Sequence, residues 1–147
     1  MIWVGYFITL IVISAVAIIV QRRKKHDISV TNFEAPIKLD RNDFKDYASA
    51  YIVVVFSSQA CNSCEGVVAK ANVLQSDVVD VVNVDYTTTK GKALHKKYEI
   101  EAVPTTVICD VNGVVQESFI GSVTATDLWA ALAKVRGAHI QSCDSHT

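Results

Sequence analysis

A run of apolar, mostly β-branched residues, Tyr51-Ile-Val-Val-Val-Phe56, is followed closely by Cys61-Asn-Ser-Cys64, and this succession constrains the chain more than any other feature. The run has no polar–apolar alternation, so it reads as a strand buried on both faces. The next stretch, 61–75, places Val67, Val68, Ala71 and Leu74 at core-facing helical spacings. Two cysteines at such a strand-to-helix junction have a specific meaning. The first backbone N–H groups of a helix lack partners, and the aligned peptide dipoles concentrate positive potential there. A thiolate is thereby favoured over a thiol, and the thiolate is the attacking species in thiol–disulfide exchange. Each unit by which the thiol pKa falls corresponds to about 1.4 kcal/mol. Cys61 is the expected nucleophile, and Cys64, one turn further in and more buried, the expected resolving thiol.

The other elements come in a readable order. Asp40 or Asn42 caps a short helix holding Phe44 and Tyr47. A second buried strand spans 78–84 and ends at Asp85, and a helix follows over 90–98. Two further apolar runs, 105–109 and 114–119, flank Asn112-Gly113, the signature of a type I′ hairpin turn. Thr124 and Asp127 offer capping-box chemistry for a last helix carrying Leu128, Trp129, Leu132 and Val135, which Gly137 can end. The expected fold is therefore α/β, a mixed sheet with helices on both faces.

Ahead of this domain, positions 2–20 carry no charge. As a helix they would be roughly 28 Å long, close to the roughly 30 Å hydrocarbon thickness of a bilayer. Trp3 and Tyr6 lie near one interface, and Arg22, Arg23, Lys24 and Lys25 mark the other. A cleaved signal peptide is the rival reading; the absence of a basic stretch before the run and the four cations after it favour a retained anchor. The expected organisation is an anchor at 2–20, a basic flank and linker at 21–38, a domain at 39–137 and a tail at 138–147. With a net charge of −1 and only that one basic block, no nucleic-acid surface is expected.

Four cysteines are too few for a disulfide-stapled scaffold, so each needs its own account. A zinc site built from Cys61, Cys64, Cys143 and His146 is one alternative, although nothing evident would hold the tail beside the pair. Two small core cysteines are another. Cys109, on a predicted central strand, reads as an inert core residue. His95, on a helix face with lysines, reads as solvated.

Taken together, these features resemble the thioredoxin-like superfamily over about 39–136. The residues that carry the resemblance are Cys61-Asn-Ser-Cys64, Val84-Asp85, Leu94-His-Lys-Lys-Tyr98-Glu-Ile100, Val103-Pro104-Thr105, Asn112-Gly113 and Gly121. It implies that Pro104 is the cis-proline facing the active-site disulfide, with the backbone of Val103 free to pair with a substrate strand. The anchor-plus-domain arrangement is also similar to membrane-tethered thioredoxin-like proteins of bacteria, such as the methylamine-utilisation accessory group. Those proteins usually face outward, whereas the charge rule places this domain on the cytoplasmic side. Two departures stand out: Ala60 replaces the tryptophan before the first cysteine, with Asn62-Ser63 between the pair, and Val55 occupies the position of the family's buried acid. A proton acceptor for Cys64 would then be a water or Glu65.

The reading is a membrane-tethered thiol–disulfide oxidoreductase acting on protein thiols and disulfides. Its expected catalytic residues are Cys61 and Cys64, with Ala60, Asn62 and Ser63 forming the active-site loop. Val103, Pro104 and Thr105 are expected to bind substrate. No metal and no cofactor are called for; an electron donor or acceptor and the bilayer are the expected partners. A non-catalytic binding module using the groove at Pro104, or a metal-delivery protein, are the alternatives.

Overall fold

The apolar run becomes the centre of the sheet. In the computed structural model, which describes residues 33–44 and 46–144, β1 (Tyr51–Ser57) is buried at every position. It pairs in parallel with β2 (Val79–Asp85) and antiparallel with β3 (Thr105–Cys109). β4 (Val115–Ile120) adds antiparallel to β3, giving the order β2-β1-β3-β4. A parallel pair needs a crossover, which α1 (Cys64–Asn72) supplies. The sheet is mixed and carries helices on both faces, as the pattern predicts.

Side chains alternate across a strand. Tyr51, Val53 and Val55 meet Val67, Ala71 and Leu74 of α1 and Leu128, Ala131, Leu132 and Val135 of α3 (Ala125–Asp144). On the opposite face Ile52, Val54 and Phe56 meet Leu94 of α2 (Thr89–Lys97), Tyr98, and Leu39 and Phe44 from the N-terminal side. That segment is tied down more tightly than a linker ending at 38 implies, because the Val115 N–H donates to the Ile37 carbonyl at 2.9 Å.

Local chemistry moves several expected boundaries. The helix expected around Phe44 is a single 3-10 turn, Arg41–Phe44. α1 starts at Cys64, because Asn62 and Ser63 favour turns and caps over helix interiors. It stops at Asn72, and the Gln75 side chain instead accepts from the Val81 N–H at 2.8 Å. The hairpin is not type I′: only Gly113 takes positive φ (76°), and its N–H donates to the Asp110 carbonyl at 3.0 Å. This is a three-residue connection closed by a left-handed glycine. Asp110 stabilises it by accepting from the N–H groups of Asn112 and Val114.

Trp129 is 48% exposed, one step off the Leu128–Leu132 stripe that faces the core. Thr124 caps α3 as expected, its hydroxyl oxygen accepting from the Asp127 N–H at 3.1 Å. Gly137 does not end α3, which continues to Asp144. A helical glycine costs about 1 kcal/mol relative to alanine, too little by itself to stop a helix. His95 is not solvated but 3% exposed, since α2 turns Leu94, His95 and Tyr98 inward. No helix among the described residues is long and apolar enough to cross a membrane. The anchor expected at 2–20 and the basic block after it lie outside the described residues.

Candidate functional site

The loop leaving β1 carries Ala60, Cys61, Asn62 and Ser63 to the head of α1. Its backbone turns twice, with the Cys61 N–H donating to the Ser58 carbonyl at 3.0 Å and the Cys64 N–H to the Cys61 carbonyl at 3.2 Å. Cys61 therefore lies just ahead of the helix rather than within it. The two cysteines form a disulfide with a Cα–Cα distance of 5.4 Å. Cys61 is half-buried and Cys64 only 2% exposed, while Ala60, Asn62 and Ser63 are exposed. The outer sulfur is thus the accessible one. Ser63 Oγ lies 3.6 Å from Cys61 Sγ, close enough for its hydroxyl to point a donor at the sulfur.

A second loop faces the first. The Val103–Pro104 peptide is cis, and the Val103 carbonyl oxygen lies 3.8 Å from Cys61 Sγ. A disulfide sulfur has no proton to donate, so in this state the approach is a contact. Pro104 and Thr105 are buried and Val103 half-buried. Thr105 Oγ1 donates to the Ala102 carbonyl at 2.8 Å. The Pro104 carbonyl accepts from the Gly121 N–H at 2.7 Å, and Gly121 takes φ of 91°, a conformation that needs glycine. Among the described residues no hydrogen bond engages the Val103 N–H. The structure therefore gathers the cysteines, their loop and the 103–105 segment at one end of the sheet, where β1 ends and β3 begins.

Below the pair, at the C-terminal ends of β1 and β2, opens a recess of about 480 Å³ lined by Ser57, Gln59, Cys64, Glu65, Asn83 and Asp85 among others. Ser57 Oγ donates to Asn83 Oδ1 at 2.6 Å. The Thr87 backbone N–H, foremost, holds the Asp85 carboxyl below the usual carboxylate range, with the Thr87 hydroxyl and the Gln59 amide adding to it. Glu65 is exposed. Val55 is 0% exposed and brings no polar atom to the site.

Thr106, next along β3, is also 0% exposed, and its hydroxyl has no hydrogen-bond partner among the described residues. Leaving a buried hydroxyl unpaired costs about 1–3 kcal/mol. The sequence assigns no site role to Ser57, Asn83, Asp85 or Thr106, although Val84-Asp85 carries part of the resemblance. A hydroxyl closing an otherwise apolar run and the doubled Thr105-Thr106 were the signals available.

Cys109 sits apart from all of this. Burial pushes its thiol up to about 12, with Asp110 adding to the shift, so it stays protonated, as a core cysteine should. Among the described residues no group of three or more His, Cys, Asp or Glu side chains gathers as a metal site. The side chains of Cys143 and His146, the zinc partners weighed above, lie outside the described ones.

Two solved structures share the architecture at low identity. One, titled as the structure of a malarial protein, has 22% identity and a TM-score of 0.52, with 58% of this chain and 97% of that one covered. The other is a thioredoxin-2 described as a component of the malaria parasite protein secretion machinery, at 21% identity and TM-score 0.52, covering 58% and 82%. StoA from Bacillus subtilis aligns at 17% identity and TM-score 0.48 over 71% of this chain and 98% of its own. Among curated protein sequences nothing matches. The sequence model of the thioredoxin family, however, matches residues 27–134, from ahead of the described domain to within its last helix. The matched span contains the disulfide, the cis-proline loop and the whole sheet, and the chain belongs to the thioredoxin family.

Proposed function

We propose that this chain is a thiol–disulfide oxidoreductase for protein substrates, with Cys61 as nucleophile and Cys64 as resolving thiol. The observation that carries this reading is the half-exposed Cys61 sulfur ahead of α1, with the Val103 carbonyl 3.8 Å away across the site. The helix's free N–H groups favour negative charge on that sulfur. A reduced Cys61 attacks one sulfur of a target disulfide, forming a mixed disulfide and releasing the target's other thiolate. Cys64 then loses its proton, attacks Cys61 Sγ, and releases the target's second thiolate. An extended target segment pairs with the Val103 backbone, whose N–H is free.

In the full chain, Cys64→Ser should accumulate mixed disulfides with protein substrates, resolvable by reductant on a non-reducing gel. Trapping by Cys61→Ser instead, with none by Cys64→Ser, would reverse the roles. Ala60 and Val55, standing where the family carries tryptophan and an acid, support a second reading, a binding module that uses the groove at Pro104. Such a module need not have a reversible Cys61–Cys64 couple, so titration against glutathione separates the two.

We further propose that residues 2–20 tether the domain to a bilayer, with the domain on the cytoplasmic side. The support is the uncharged 2–20 run and the Arg22-Arg23-Lys24-Lys25 flank. Labelling with a membrane-impermeant thiol reagent after reduction should require cell lysis. Strong labelling of unbroken cells would place the domain outside.

A further inference from the structure

We propose that the Thr106 hydroxyl is the hydrogen-bond partner of Cys64 when the pair is reduced, and that this bond favours the dithiol over the disulfide. The proposal rests on the oxidoreductase reading above and names a positioning residue for it.

Register puts Thr106 on the face of the sheet that α1 covers, at the end of β1 from which the chain leads to Cys64. Thr106 lies opposite Val55 of β1 and Phe119 of β4. Residues paired across a sheet share a face, and Val55 and Phe119 both belong to the apolar cluster under α1 and α3. Cys64, Val67 and Ala71 form one buried stripe along α1 at spacings of three and four. Val67 and Ala71 of that stripe share one apolar cluster with Val55, Val53 and Tyr51. The loop 58–63 leads directly from the end of β1 into Cys64, so the first turn of α1 sits over the Val55 end of the strand. The row beneath it is Asn83, Val55, Thr106 and Phe119.

Within that row the other polar side chain is already engaged, since Asn83 Oδ1 accepts from Ser57. Val55 offers nothing polar. Thr106 alone presents a buried hydroxyl with both its donor and its acceptor capacity unused. A threonine in this state is poorly matched to the disulfide form, because the bonded Cys64 sulfur carries no proton and accepts weakly. Reduction changes the sulfur. As a thiol, Cys64 donates to Thr106 Oγ1; as a thiolate, it accepts from the Thr106 O–H. Either bond exists only when the pair is reduced, and the stabilisation therefore falls on the dithiol side.

The test is the equilibrium of the full chain with glutathione, in which two glutathione thiols give two electrons and two protons to the pair. The Cys61–Cys64 bond breaks and one glutathione disulfide forms. Thr106→Val keeps shape and removes the hydroxyl. It should shift the equilibrium about five- to tenfold toward the Cys61–Cys64 disulfide, tenfold being about 30 mV for this two-electron couple. Thr106→Ser, which keeps the hydroxyl, should stay within about twofold of the wild type. The oxidised Thr106→Val protein should melt no lower than the oxidised wild type, having lost only an unpaired group.

A reversible wild-type couple left unmoved by Thr106→Val overturns this proposal alone. Misfolding or a lower melting temperature of oxidised Thr106→Val also overturns it, because the hydroxyl would then already be bonded in the disulfide form. A wild-type chain with no reversible couple overturns the oxidoreductase reading and this proposal with it.

Discussion

The two faces of the sheet are built from the same strand yet treat their polar groups differently. On the α2 face, polar groups are matched. Tyr98 donates its phenol proton to Asp43 and accepts from the Asp40 N–H, while Lys97 reaches Asp43 at 2.7 Å. His95 pairs Nε2 with the Val84 carbonyl at 2.9 Å and packs edge-on against Phe56 and Tyr86. The one buried atom left over near there, Arg41 Nη1, belongs to a guanidinium already holding the Tyr47 and Ser49 carbonyls. On the α1 face the apolar cluster ends in a disulfide, an open recess and an unpartnered threonine. One face is closed chemistry that holds the N-terminal segment to α2. The other is left unfinished at the rim where its covalent bond can open.

If that division is real, damage to the closed face should change stability and leave redox chemistry alone. Phe56 is 0% exposed and central to the α2 face. Phe56→Ala should cost about 3–5 kcal/mol of unfolding free energy in urea. Its glutathione equilibrium should remain within about twofold of the wild type, because the ring points away from Cys64. A shift as large as that expected for Thr106→Val would show that the faces are coupled through β1 and would break the comparison.

The contrast also explains what could be read in the sequence. Continuous burial of β1 is a one-dimensional signal, as is Cys-x-x-Cys at a strand–helix junction, so the sheet's centre and the cysteine pair were both legible. Pro104 became legible through resemblance to a family, since no periodicity reports a cis bond. What escaped was contributed by partners distant in sequence. His95 reads as solvated among lysines until Phe56 and Tyr86 close around it. Thr106 reads as a strand residue until the register sets it beside Val55. The hairpin type escaped for a local reason: Asn112-Gly113 fits type I′, but the Asp110 carboxylate accepts from the Asn112 and Val114 N–H groups and selects the longer turn.

The smaller expected effect tests the clamp on the closed face. Burial, foremost, and the bond to Asp43 push the Tyr98 phenol up to about 12 from its ordinary value of 10.0. The folded chain thus holds this proton more tightly than the unfolded one. Stability from this source is complete below pH 10 and is lost as pH rises toward 12. Lys97, whose ammonium is held above its ordinary range chiefly by Asp43, works in the same direction, its favourable charge being lost as pH rises. Tyr98→Phe keeps the ring against Phe44 and Phe56 but leaves the Asp40 N–H and the Asp43 carboxylate without the phenol. Removing one partner of such bonds costs about 1–3 kcal/mol, so urea unfolding at pH 8 should show a gap of that order. Between pH 10 and 12 the gap should narrow, because the wild type loses what the variant never had. A gap that stayed constant to pH 12 would mean that the phenol holds its proton no more tightly in the folded chain than in the unfolded one, and the clamp would then owe nothing to that proton.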